Sequence, residues 1–384
     1  MTPRVRPRVL LSGVSVRALA ESAARAGWDV TALDAYGDLD LERIATVLAP
    51  PRGAPERFDQ LAAARASRRV AMDTVAYVSS FENAPDAVGL LARGRTLLGN
   101  PPAVLRSVRD PLALARALSR DGVRAPAVRA AAPRAGDGSR WLLKPRHSGG
   151  GRGIVRWRRG MPVPRSSVVQ ERVRGTAGSI IFAADGRQLA PIALTRQLVG
   201  ESAFGAAGFV YCGSILEPHR PALLANAIAL ASHIVRDFEL RGVCSVDFIA
   251  RGAVPYAVEV NPRATASMEL AERASGCSVR RAHVAGCTRT LDASSPRWEC
   301  AQSVVEGKAV LYARRTVVLG DTTHWLDDDD VRDVPHPGER IARGRPICTI
   351  FARGRTSALC HAALVRCARV RYAEVERRMR RKSA

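Results

Sequence analysis

The chain has 384 residues, 47% of them hydrophobic and 25% charged. That profile suits a folded protein of two or three domains and excludes a disordered chain, apart from the arginine-rich tail Arg377–Ala384. The net charge of +23 invites a nucleic-acid reading, yet lysine occurs only at Lys144, Lys308 and Lys382, the arginines are scattered, and aromatics make up 5%. This resembles a GC-rich coding bias and argues against nucleic acid, because no stacking platform is evident.

No stretch approaches the length of a membrane span, and Arg17 interrupts the only apolar run near the start, so no membrane association is expected and the cytoplasm is the expected compartment. The eight cysteines form no CxxC pair and no zinc spacing; isolated thiols are expected.

In chain order, Val9–Leu11 reads as a strand, Gly13–Ser15 as a turn, Val16–Ala26 as a helix stopped by Gly27, and Val30–Leu33 as a second strand. A lone Gly13 lacks the three spaced glycines of a dinucleotide fingerprint. Ala71–Val78 and Thr96–Gly99 read as further strands of the same sheet, broken by Asn100-Pro-Pro. Asp110–Gly122 is helical, Ala130–Gly138 is a linker, and Trp141–Pro145 is a strand entering a glycine loop. Val168–Glu171 and Ser179–Ala183 read as strands, with a hairpin turn at Asp185–Gly186. Leu224, Ile228, Ala231, Val235 and Phe238 mark an amphipathic helix. Cys244–Ile249 and Tyr256–Val260 pair across the turn at Arg251–Gly252. Beyond Ser294 come short strands, Ala309–Tyr312, Val317–Leu319 and Ile347–Phe351, and a basic helix near Ser357–Arg380. Asp327–Asp330 reads as a solvated turn.

Three segments carry chemistry. In the first, a strand delivers Lys144 to a loop containing Ser148, Gly149, Gly150, Gly151 and Gly153. Glycines let backbone N–H groups approach phosphate oxygens, and lysine adds a compact charge. The bland alternative is a glycine-rich hairpin. The second is Gln170–Glu171 at a strand end, followed by Val173; here Glu171 and the Val173 backbone could face a purine edge, or simply end a strand. In the third, Asp247 lies opposite Glu259 on paired strands, and Asn261, two residues on, shares the Glu259 face. Two carboxylates and an amide oxygen suit magnesium. A strand pair salt-bridged to Arg263 is the alternative.

The order lysine and glycine loop, Gln–Glu hinge, then Asp…Glu-x-Asn-Pro-Arg resembles the ATP-grasp superfamily over roughly residues 97–286. The stretches Gly175–Ser179, Ala184–Gly186, Gln197 and Tyr211–Gly213 are similar to its carbamoyl-phosphate-synthase-like and tyramine–glutamate-ligase-like branch. Asp333–Gly338 and Gly344–Cys348 resemble the small β domain closing related carboxylases, without a modifiable lysine.

The resemblance implies an α/β (α+β) protein. Its parts would be an N-terminal Rossmann-like pre-ATP-grasp domain (1–100), a two-lobed ATP-grasp domain (101–293) and a small β-rich domain with a C-terminal helix (300–384). It implies that Lys144, Ser148 and the glycines hold ATP phosphates, that Gln170, Glu171 and Val173 line the adenine site, and that Asp247, Glu259 and Asn261 bind Mg2+, or Mn2+ in its place. Arg263 and Lys144 would act on the transferring phosphoryl group, with Arg106 or Arg109 as a second phosphate cation. The expected reaction joins a small-molecule carboxylate to an amine through an acyl phosphate, with a homodimer left open. Phosphorylation, carboxylation or nucleotide sensing on the same fold is the alternative, and a basic nucleic-acid binder is a further one.

Overall fold

A computed structural model describes residues 6–48, 58–133, 140–217, 220–291 and 304–382. Part of the Ala130–Gly138 linker, and the side chains of the tail after Arg377, lie outside the described residues.

The N-terminal βαβ pattern folds as read. Arg8–Gly13 is buried after its first residue, the helix Arg17–Arg25 follows, and Asp29–Asp34 returns parallel to the first strand. Thr74–Tyr77 and Thr96–Leu98 extend the sheet on the other side, giving the spatial order Thr46–Val47, Asp29–Asp34, Arg8–Gly13, Thr74–Tyr77, Thr96–Leu98. The chain therefore reverses direction of growth beside its first strand, and the carboxyl ends of Arg8–Gly13 and Thr74–Tyr77 flank a crevice. Gly13 is required there: a Cβ would lie 2.4 Å from Val78 Cγ2 and 2.7 Å from the Ser79 carbonyl oxygen.

Asn100-Pro-Pro is more than a break. Pro102 opens a helix, Pro102–Val108, where its missing N–H costs nothing. Asp110 then caps the helix Pro111–Arg120 by accepting from the Leu112 N–H at 2.9 Å. Asn100, fully buried, donates to the Pro262 and Arg241 carbonyls and accepts from the Arg241 N–H, so this corner is bolted to the later strands.

A four-stranded antiparallel sheet follows, ordered Val128–Arg129, Ser167–Glu171, Trp141–Pro145, Val155–Arg156. One face packs Trp141, Val169 and Trp157 together. A larger antiparallel sheet runs Val254–Asn261, Arg241–Arg251, Thr176–Asp185, Leu189–Val199, Tyr211–Leu216, Val305–Tyr312, Pro346–Gly354 and Val331–Arg332. The helix Pro221–Phe238 covers one face of its early strands, burying Ile180, Phe182, Val246 and Phe248. Val305–Tyr312, Pro346–Gly354 and Val331–Arg332 join this same sheet through pairing of Tyr211–Leu216 with Val305–Tyr312, while Val317–Val318 and Arg340–Ile341 pair with each other apart from it. Over them lies the final helix, Ser357–Lys382, whose Cys360, Leu364, Ala368, Tyr372 and Val375 recur at helical spacing on its buried face. The acidic run is a turn, but not a purely solvated one: Asp330 pairs with Arg273 at 2.7 Å and Asp328 with Arg371.

Candidate active site

The four-stranded sheet and the edge of the large sheet face each other, and Lys144, Asp247, Glu259 and Asn261 meet between them. Cross-strand register puts Lys144 opposite Val168 and Leu142 opposite Gln170, so all four share one face. That face looks toward Val254–Asn261, where Lys144 Nζ donates to the Val258 carbonyl at 2.9 Å and lies 3.7 Å from Glu259 Oε2. The position of Val258 has a local cause. The pairing shifts between Asp247↔Glu259 and Phe248↔Ala257, leaving Val258 unpaired as a bulge that turns a free carbonyl to the lysine.

Glu259 stands directly opposite Asp247, and Asn261 Nδ2 donates to Asp247 Oδ2 at 3.1 Å. Burial, and then the facing Glu259 charge, push the Asp247 carboxyl above its ordinary value, against polar contacts from Ser179, Gln197 and Asn261. For Glu259 burial acts in the same direction, but the Lys144 and Arg109 charges outweigh it and hold the carboxyl below its ordinary value.

Arg109 is the second cation of the site. Its NH1 lies 2.6 Å from Glu259 Oε1 and also donates to the Val260 carbonyl, while NH2 reaches the Ser148 carbonyl and Asn83. Arg106 instead makes an exposed pair with Asp86, so of the two arginines it is Arg109 that meets Glu259. Arg263 does not bridge the paired carboxylates; it pairs with Glu82 at 2.7 Å. Glu82 and Asn83 sit just past Thr74–Tyr77, and neither was singled out from sequence. Their signal was positional: the carboxyl end of a parallel strand is where an α/β sheet places its site.

The glycine loop folds back onto the large sheet. The Gly150 carbonyl accepts from the Tyr211 N–H at 3.0 Å, and Gly151, at φ +73°, would carry a Cβ only 1.8 Å from the Phe209 carbonyl oxygen. Any residue larger than glycine must displace the loop there. At the strand end, Gln170 is on the Lys144 face, whereas the Glu171 side chain is on the opposite one and accepts from the Ala127 N–H at 3.3 Å. Val173 is half-buried just beyond. Among the described residues no three His, Cys, Asp or Glu side chains converge on one point, so a metal here would rely on two carboxylates and Asn261. That donor set fits magnesium: hard oxygens, with an Asp247 charge still destabilised by its neighbour.

Residues 108–267 match the ATP-grasp domain family. The chain superposes on an L-amino acid ligase from Bacillus licheniformis with a TM-score of 0.66 at 14% identity, covering 94% of this chain and 96% of that one. It superposes on an N5-carboxyaminoimidazole ribonucleotide synthetase from Thermus thermophilus at 0.67 and 18%, covering 94% and 98%. For the biotin carboxylase domain of a single-chain bacterial carboxylase the values are 0.67 and 18%, covering 94% and 87%. At these identities the superpositions establish the fold. A curated relative, an uncharacterised protein of Methanocaldococcus jannaschii, is 24% identical over 141 residues, which span 37% of this chain and 34% of that one. The sequence match marks residues 108–267 as an ATP-grasp domain, and the superpositions show that the chain shares the fold of the ligases and carboxylase named above.

Proposed function

We propose that the chain is an ATP- and magnesium-dependent ligase that activates a small-molecule carboxylate for attack by an amine. The observation that carries this reading is the single cluster formed by Lys144, Arg109, Glu259, Asp247 and Asn261 between two sheets. It presents two cations and two half-buried carboxylates at one point, the charge pattern needed to hold a metal-bound triphosphate.

In this reading Lys144 and Arg109 exchange their Glu259 contacts for phosphate oxygens, and the loop of Ser148, Gly149, Gly150, Gly151 and Gly153 covers the phosphates with backbone N–H groups. The adenine lies at the hinge, held through the backbone at Glu171 and Val173, with Gln170 on the cleft side. Asp247, Glu259 and Asn261 would hold magnesium, which when bound neutralises charge on the phosphates and the leaving oxygen. The substrate carboxylate attacks the γ-phosphorus and the bond to the β-phosphate breaks, giving ADP and an acyl phosphate. The amine nitrogen then attacks the acyl carbon, phosphate leaves with its electron pair, and the nitrogen loses a proton. Arg263, which pairs with Glu82, would steady the negative oxygen at that carbon. Closure of the loop keeps water from the acyl phosphate.

An ADP-release screen of candidate acids and amines with magnesium tests this. Release that requires both an acid and an amine, with an amide as product, is the expected result. Release indifferent to every amine would count against the ligase and favour phosphorylation or carboxylation.

A further inference from the structure

At the carboxyl ends of Arg8–Gly13 and Thr74–Tyr77, where the sheet order reverses, lies a cavity of about 400 Å³, within the usual size range of small-molecule sites. It reaches from Val14 and Ser79 of the N-terminal sheet to Arg152 of the glycine loop and to Arg263, so it adjoins the cluster described above. Most of its charged lining is already satisfied. Arg17 pairs with Glu269 and Asp333, Lys308 pairs with Glu269, and Arg263 pairs with Glu82.

Asp38 is different. Four aspartates crowd this wall. Asp34 accepts backbone N–H groups from Val16, Tyr36 and Gly37, Asp40 accepts those of Asp333 and Val334, and Asp333 holds Arg17. The fourth, Asp38, is 6% exposed and lines the cavity, and no hydrogen bond or ion pair from a described residue reaches its carboxylate. The acidic groups that act on it, Asp333, Asp34, Asp40 and Glu339, all carry its own sign. A buried carboxylate in that company, facing open space, is matched to a cation from outside. The opposite sign is nearby. Tyr36, two residues before Asp38, feels the guanidinium of Arg345 and then that of Arg152, both in the cavity wall; Arg345 is already partnered, whereas Arg152 binds the Gly344 carbonyl and the Tyr312 ring and has no carboxylate partner among the described residues.

We propose that this cavity binds an amino acid, with Asp38 taking the ammonium and Arg152 the carboxylate. Under the ligase reading, on which only the ligand's chemical fate depends, this amino acid is the acid that is activated. An ammonium held by a carboxylate is protonated and has no lone pair to attack with, whereas a carboxylate at Arg152 lies beside the loop that covers the phosphates.

Calorimetric titration of the full chain with each of the twenty common amino acids, and with the des-amino acid of any that binds, tests the assignment. The expected result is a saturable amino acid whose des-amino counterpart binds at least about tenfold more weakly, the scale of one lost charge-assisted contact. Asp38→Asn should weaken the amino acid by a similar factor and leave the des-amino acid unchanged, while Arg152→Gln weakens both. Equal affinity of wild type for the two ligands, or binding of no amino acid, overturns the proposal without any variant, and thermal melts confirm that the variants fold. MgADP is titrated separately. Normal MgADP binding without amino-acid discrimination overturns this proposal alone; Asp38-dependent amino-acid binding by a chain that never takes MgADP overturns the ligase reading alone.

Discussion

Replacing Glu259 with glutamine is expected to lower magnesium-dependent ATP turnover by about 10²–10³-fold, the scale of losing one preorganised electrostatic group. The carboxamide keeps the shape of the side chain but removes half of the paired carboxylate charge opposite Asp247. It also releases two cations, since Lys144 and Arg109 both lean on Glu259 in this structure. Metal-free ATP should therefore bind the variant at least as tightly as wild type, even as turnover with magnesium collapses. That opposite movement separates a metal-site defect from general damage. The fold should persist, because Arg109 keeps Asn83 and the Val260 and Ser148 carbonyls as partners. Steady-state ADP release and a nucleotide titration with and without magnesium read both quantities. Full magnesium-dependent activity in the variant would remove the metal site.

The largest effect on stability is expected at Glu269. This carboxylate, 3% exposed, joins Arg17 of the first helix to Lys308 of the strand Val305–Tyr312, with Asp333 on the far side of Arg17. One buried knot thus ties the helix Arg17–Arg25, the helix Met268–Ser275 and the C-terminal strands together. Glu269→Gln leaves Lys308 without a carboxylate at 269, with the Ala266 carbonyl and the Phe351 ring beside it, and stranding a buried charge costs about 3–5 kcal/mol. Urea titration should show that loss, and the added change Lys308→Met should recover part of it because the stranded charge is gone. Acid acts on the same knot. Burial alone would raise the Glu269 and Asp333 carboxyls, but Arg17 and Lys308 outweigh it, and Asp333 is held at about 2. Depressed carboxyl values stabilise the fold above the unfolded values of about 4. That contribution is lost as pH falls toward about 2, and Glu269→Gln should lose less stability across this window than wild type.

Much of the site was legible because it rests on local periodicity. A period of two puts Glu259 and Asn261 on one face, a short turn puts Asp247 opposite, and a strand followed by glycines announces Lys144 and its loop. What stayed hidden depends on packing between distant segments. Nothing local separates Arg106 from Arg109; only the approach of Val254–Asn261 sets Arg109 against Glu259. Asp38 reads as an ordinary turn residue until residues 333–349 close over it. The strand Leu189–Val199 was missed because it contains Pro191, which sits at a register shift opposite Phe182, where a missing N–H is tolerated. After residue 304, Ala309–Tyr312 and Ile347–Phe351 were recognised as strands, but their membership of the large sheet is set by one long-range pairing with Tyr211–Leu216, and the short strands Val331–Arg332 and Arg340–Ile341 carry too few residues to show a period.

The most direct measurement is a crystal structure of the full chain grown with MgADP. The account predicts the nucleotide between the two sheets, its phosphates against Lys144, Arg109 and the 148–153 loop, and the metal between Asp247 and Glu259. A nucleotide bound elsewhere, or one seated there while the Glu259 pairs with Lys144 and Arg109 stay intact and no metal touches Asp247, would contradict it.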